Sequence, residues 1–486
     1  MLYNSAPMKK LLLFCLFSAS ASAQTLSPAV REYVRIDAPT IVLTNVRVID
    51  GTGAPALENR TVILAGGKIQ SIEDTVYDRV LPTDAKVLDL TGHTVLPGMV
   101  MVHEHLFYPA GGAVFHEMAY SFPRLYLAAG VTTIRTGGSI EPYTDLEIKK
   151  LIDAGQTPGP KMHVTGPYLE GKGSFTPQMH AIGDPEDARR TVNFWADQGA
   201  TSFKAYNFIT RDELKAAIEA AHSRGLKVTG HLCSIGFREA AELGIDDLEH
   251  GLVGDTEFFP EKKPDQCPSP TKAVLHLTTL EVSGPEIQQT IRTLIEKKVA
   301  VTSTLPVFEM FVPGRAATPQ RVLDAMSENA RVSFLTSRAR LDDAARNQQR
   351  YGRPDSPWTK AFRMELEFEY AFAKAGGLLI AGVDPTGNGG ALPGFGDQRQ
   401  VELLVEAGFT PLEAVKICTW NGAQFLGVAD QVGSIAPGKA ADLIVVKGDP
   451  GKNIADIENV ELVFKNGVGY DSEKLIQSVR GLVGIR

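Results

Sequence analysis

Cysteine is scarce in this 486-residue chain, with four in all, at positions 15, 233, 267 and 418. So small a number rules out a disulfide-built scaffold, and the three that lie beyond residue 23 allow at most one internal bridge. Positive charge is also short: 49 Lys and Arg stand against 57 Asp and Glu, for a formal net charge of −8. With no basic cluster to offset it, that balance argues against a nucleic-acid partner. No G-x-S-x-G occurs, which leaves a serine-hydrolase elbow without support. Internal repeats and low-complexity tracts are lacking too, so nothing suggests a repeat array or a fibrous chain. The apolar run near the start, Leu11 to Phe17, is far too short to span a bilayer.

That run has the look of a leader. Lys9-Lys10 precede it, and small residues end in Ala21-Ser22-Ala23, giving a basic segment, an apolar segment and an A-x-A cleavage site. The expectation is a signal peptide over residues 1–23 and a mature chain from Gln24, with a charge near −10 once Lys9 and Lys10 are lost. The protein would be exported, periplasmic or secreted, with no membrane anchor left. In such a compartment Cys233 and Cys267 are expected to pair, since both flank the candidate site described below. Cys418, within the helical stretch Ala414 to Cys418, is expected as a buried thiol.

Hydrophobic residues make up 43% of the chain, enough for a sizeable core, and the length suits a barrel with an appended domain. Residues 40–90 read as short strands broken by turns such as Gly66-Gly67, and Ala441–Val446 and Val460–Phe464 have the same texture. One small β-sandwich built from both chain ends, 24–96 and 430–486, is therefore expected. The middle alternates strands with helices. Thr210–Glu213 and Thr410–Glu413 are capping boxes, the second with Pro411 at the first helical position. Alternation over this length points to α/β architecture and a (β/α)₈ TIM barrel over 97–429, with a helical insertion within about 254–370.

The chemistry gathers at predicted strand ends, where a barrel places its active site. His103 and His105 close the run Val95 to Val102, and residues i and i+2 of a strand share a face. Lys204 follows Ser202-Phe203, His231 ends Val228-Thr229-Gly230, His250 follows Leu248-Glu249, and Asp384 ends Leu378 to Val383. Each has a plainer reading. A strand-end His is commonly a hydrogen-bonded core residue, an Asp there often caps the next helix, and a Lys can snorkel to solvent. An inward Lys204 needs a chemical reason, because burying it uncompensated is costly. The joint occurrence of all six outweighs the separate plain readings.

With those residues in view, the chain resembles the amidohydrolase superfamily, in its metal-dependent branch related to imidazolonepropionases and Xaa-Pro-type dipeptidases. The resemblance runs through Val48–Gly53, Pro97–His105, Gly130–Arg135, Glu249-His250-Gly251, Gly382-Val383-Asp384 and Gly433–Leu443. It implies that His103, His105 and Asp384 hold one divalent ion and that His231 and His250 hold a second. An N-carboxylated Lys204 would bridge the two. Both ions are expected to be zinc, which takes imidazole and carboxylate donors and leaves a position for water. Asp384 would serve as general base. Two departures stand out: Met101 occupies the position where relatives commonly carry Asp, and Arg135 is followed by Thr136 where they carry Asp.

Substrate contacts are expected from His180, Tyr206 and Arg135, while His163, His222 and His276 are read as structural. The leading expectation is hydrolysis of an amide or peptide C–N bond in a dipeptide or N-acyl amino acid. A lactonase or phosphotriesterase on the same centre is the alternative, as is a cyclic-amide hydrolase of imidazolonepropionase type. A binding protein that kept only the fold is disfavoured, because all six positions are filled. A small molecule or short peptide is the expected partner, with a homo-oligomer also in view.

Overall fold

The computed structural model describes residues 25–75, 82–315, 318–350 and 356–484. The expected leader, residues 1–23, lies outside the described residues. The chain is α/β. Its middle carries a three-stranded parallel sheet, Lys161–His163, Val131–Thr136 and Met99–Glu104, and a five-stranded parallel sheet. The five run in order Ser202–Ala205, Lys227–Gly230, Asp247–Glu249, Ala300–Ser303 and Leu379–Ala381. A parallel bridge between Thr165 and Ser202 links the two sheets on one side. On the other, the Asp384 amide donates to the His103 carbonyl at 3.1 Å.

Local sequence signals account for much of this. Thr210 accepts from the Glu213 amide while Glu213 accepts from the Thr210 amide, so the helix Arg211–His222 starts where its orphan donors are satisfied. The second capping box opens Pro411–Lys416, which continues through a π-helical turn at Ile417–Asn421 holding the buried Cys418. Beyond His250 the alternation is interrupted by extra helices, among them the 23-residue Glu328–Arg350, of which only Ala330 and Phe334 are buried.

Both chain ends build one β unit, its strands linked into a single mixed nine-stranded sheet that encloses an apolar core of its own. The strand Thr40–Val48 turns between its two halves. Asn45 sits at φ +58 in its middle, and the two halves take different neighbours: Ile41–Thr44 pair with Lys86–Asp89, Arg47–Val48 with Thr94–Val95. Both faces of the sheet are buried where it meets the parallel strands. Val95, Leu443, Val445, Leu462 and Phe464 fill its own core, and Leu96, Ile444, Val446 and Val463 join the core of the middle region. Period-two alternation thus serves two cores at once.

Candidate functional site

The strand Met99–Glu104 delivers His103 and His105 to one face, with ring centroids 5.3 Å apart. His250 lies 4.7 Å from His103 and 4.4 Å from His231, again centroid to centroid. Asp384 completes the cluster: its Oδ1 is 3.3 Å from His105 Nε2 and 3.9 Å from His103 Nε2, and its Oδ2 is 3.9 Å from His250 Nε2. The structure therefore brings together all six residues named from the sequence, Lys204 included. His250 and Asp384 reach the cluster by leaving regular strand geometry, at φ +71 and +47. Non-glycine residues pay for that conformation, and it is concentrated at functional sites.

Electrostatics keep these rings neutral, the state in which imidazole can ligate a metal. Burial, then the charge of Lys204, holds His103 well below its ordinary range, and the same two causes bring His231 down to about 4. Burial also lowers His105 and His250. Burial raises Asp384, but His103 and His105 outweigh it and leave the carboxyl well below the usual range. Neutral rings need a fixed tautomer. His105 Nδ1 lies 3.2 Å from the Gly138 carbonyl, and His250 Nδ1 lies 2.7 Å from the Thr304 hydroxyl. With Nδ1 engaged, Nε2 of both rings points at the cluster.

The donors fit a divalent cation. The ligand atoms of His103, His105 and Asp384 all lie within 4.8 Å of one another, as do those of His103, Glu249 and His250. His103 Nδ1 and His250 Nε2 are buried with no hydrogen-bond partner, and Glu249 Oε2 lies 3.4 Å from His103 Nδ1. Unpaired buried atoms of this kind are costly, and converging on one point they form the donor set of a metal centre.

Several members were invisible in the sequence pattern. Glu249, fully buried, receives Lys204 Nζ at 2.5 Å and the Thr229 hydroxyl at 2.7 Å, with Arg135 Nη1 at 3.6 Å. Burial raises its carboxyl, but Lys204 and Arg135 prevail and hold it low. Alternation along Asp247-Leu248-Glu249 was the available signal, since it turns both acids to one face. Glu104 faces away from the histidines; its Oε1 accepts from the Val383 amide at 3.0 Å and so anchors the Asp384 turn. Tyr168 packs 5.5 Å from Lys204 Nζ and 4.8 Å from Tyr206, whose ring lies 4.9 Å from His231. Tyr206 is thus at the site, as expected.

Two expected substrate contacts are placed elsewhere. Arg135 is buried beneath the cluster, where its donors are spent on Ser202 Oγ, the Val102 carbonyl and Thr229 Oγ1. A guanidinium buried and held by three hydrogen bonds stabilises the strand interior and is not presented to substrate. His180 has a side chain 67% exposed and is paired with Asp187. Among the histidines read as structural, His222 bonds Asp246 on the surface at 2.9 Å. Cys233 and Cys267 form a disulfide with Cα atoms 4.8 Å apart, closing a segment that contains His250.

Comparison with known proteins follows the same lines. A putative prolidase from Bifidobacterium longum superposes with a TM-score of 0.63 at 24% identity, covering 91% of this chain and 99% of that one. A Xaa-Pro dipeptidase with bound methionine gives 0.65 at 20% identity, covering 89% and 100%. These likenesses are of fold. An imidazolonepropionase from Deinococcus deserti is 37% identical over 82 residues, 17% of this chain and 20% of that protein. The curated relatives are thus matched over about a fifth of their length or less. The model of the amidohydrolase family matches residues 94–468, spanning every residue of the cluster, and the chain belongs to that family.

Proposed function

We propose that the protein is a metal-dependent hydrolase of amide or peptide C–N bonds, acting on a dipeptide or an N-acyl amino acid. The observation that carries the reading is the convergence of three buried histidines, His103, His105 and His250, on Asp384, with His231 beside His250 and with ring nitrogens left unpaired. His103, His105 and Asp384 would hold one divalent ion, and His231 and His250 a second. Lys204, carboxylated to an anion, would stand between them; as a free amine it is balanced by Glu249. When bound, such ions activate water and polarise the scissile carbonyl. Zinc suits the donors best.

The chain's own groups supply the rest. Asp384, with 11% of its side chain exposed, is more open than His103, His105 or His250. Its ionised carboxylate takes the proton released as water adds to the carbonyl, and returns it to the leaving amine. Tyr206, half-buried beside His231, keeps its proton because burial raises the phenol, and it offers that proton to the substrate as a hydrogen bond. The same reading takes the two parallel sheets as one closed (β/α)₈ barrel, supported by the Thr165–Ser202 bridge and the Asp384–His103 hydrogen bond. Export from the cytoplasm belongs to it too, supported by the disulfide.

The test is amine release from a panel of dipeptides and N-acyl amino acids, comparing zinc-loaded with chelated protein. Metal-dependent release is expected. Turnover of lactones or phosphotriesters, with no amide cleaved, would overturn the assignment of the bond.

A further inference from the structure

A row of rings leads outward from His250. The Phe308 ring lies 5.7 Å from it, Trp358 stacks 6.4 Å beyond at 20°, and Phe311 lies 5.5 Å from Trp358. Unlike the fully buried Phe203, Phe334, Phe368 and Phe372, these three are only partly covered, and Phe311 and Trp358 belong to no apolar core. They come from the helix Leu305–Glu309, the turn after it, and the first turn of Pro357–Lys374. Both elements lie in the long connection between the strands Ala300–Ser303 and Leu379–Ala381.

The row is held stiffly. Glu309, next to Phe308, is buried and takes Arg399 at 2.8 Å and Arg315 at 2.7 Å, so the short helix is tied to Phe395–Glu406. Beyond His231, on the other flank of His250, come Tyr206 at 4.9 Å and then Tyr168 at 4.8 Å, which carry hydroxyls; Phe308 and Phe311 have none. The rings next to His231 thus carry hydroxyls and the phenyl ring next to His250 carries none. Offset and edge-to-face partners at 4.5–7 Å are what such rings select.

We propose that the site is built for amides carrying an aromatic ring one side chain away from the reacting carbonyl. The ring seats on Phe308 and Trp358, with the polar end of the substrate toward Tyr168 and Tyr206. The inference rests on the amide-hydrolysis reading and narrows its substrate class.

Matched pairs test it on the zinc-loaded full chain: 3-phenylpropanoyl-glycine against hexanoyl-glycine, and glycyl-phenylalanine against glycyl-leucine. Two ring contacts predict a preference of about ten-fold in kcat/KM for the aromatic member of at least one pair. Phe308→Ala, Trp358→Ala and the milder Phe311→Leu should each draw that ratio toward one. Equal rates in both pairs, or a ratio untouched in variants that melt normally, would overturn the aromatic assignment while the hydrolase reading stands. If no amide is cleaved, the hydrolase reading fails, and binding decides the rest. Tryptophan fluorescence quenched by 3-phenylpropanoate but not hexanoate, and lost in Trp358→Phe, upholds the seat; equal quenching by both rejects it.

Discussion

The donors of the cluster arrive by two routes. His103 and Lys204 stand within parallel strands, Lys204 where the register is unbroken and His103 where the pairing slips by one residue between Met101 and Glu104, and both face inward. His250 and Asp384 stand one or more residues past their strands, at φ +71 and +47, and reach the same point by breaking the pleat. The first route is inexpensive and rigid. The second stores backbone strain, so it persists only because neighbours fix it: Thr304 beneath His250, and Glu104 and the His103 carbonyl beneath Asp384. Part of the centre is therefore dictated by secondary structure, and part is held by tertiary contacts that could be removed one at a time.

The sharpest break in that contrast is Asp384→Asn, which keeps shape and hydrogen bonding but removes the base. Turnover should fall by about 10²–10⁴-fold with the melting temperature little changed. Amine release at the parent's rate would sink the assigned base. Next in size is loss of the Cys233–Cys267 bridge, whose ends are 34 residues apart and enclose His250. Replacing both by Ser should cost about 3–4 kcal/mol by the chain-entropy argument, read from denaturant midpoints. Metal bound per chain should fall on the His231 and His250 side before the His103 side.

A smaller effect is expected at Gly382, where the last parallel strand crosses the first. A Cβ there would lie 2.5 Å from His103 Cβ and 2.6 Å from the His103 backbone. Gly382→Ala must push the two strands apart, at about 1–3 kcal/mol. It should also weaken the site that joins the two routes, so metal affinity should drop along with stability. Stability lost with affinity unchanged would mean that the strand contact does not position His103.

The same division explains what could be read from residues alone. Capping chemistry at Thr210 and Thr410, and the i, i+2 pair His103 and His105, are local and survive in any context. The six donors were legible because each ends an apolar run. Glu249 was missed because its partner Lys204 lies 45 residues earlier and meets it only across the intervening strand Lys227–Gly230. The aromatic row was hidden for the same reason, its rings drawn from separate helices. That both chain ends share one β unit was legible from their common texture; the turn of Thr40–Val48 at the positive φ of Asn45, which lets one strand serve two neighbours, was not.

His180 gives the comparison its null case. A histidine in a loop after a barrel strand is easily taken as a substrate contact, yet its ring stands in solvent against Asp187, which also accepts from the Gly183 amide and from Arg190. Exposed pairs of this sort contribute little. His180→Ala should leave kcat/KM within about two-fold and stability within about 0.5 kcal/mol, as for surface changes generally. Tyr206→Phe, made alongside, should raise KM instead, because the Tyr206 ring packs against His231 within the cluster. If His180→Ala were the damaging change of the two, the loop would have to fold over the centre when substrate binds, and the open side of the site would be wrongly placed.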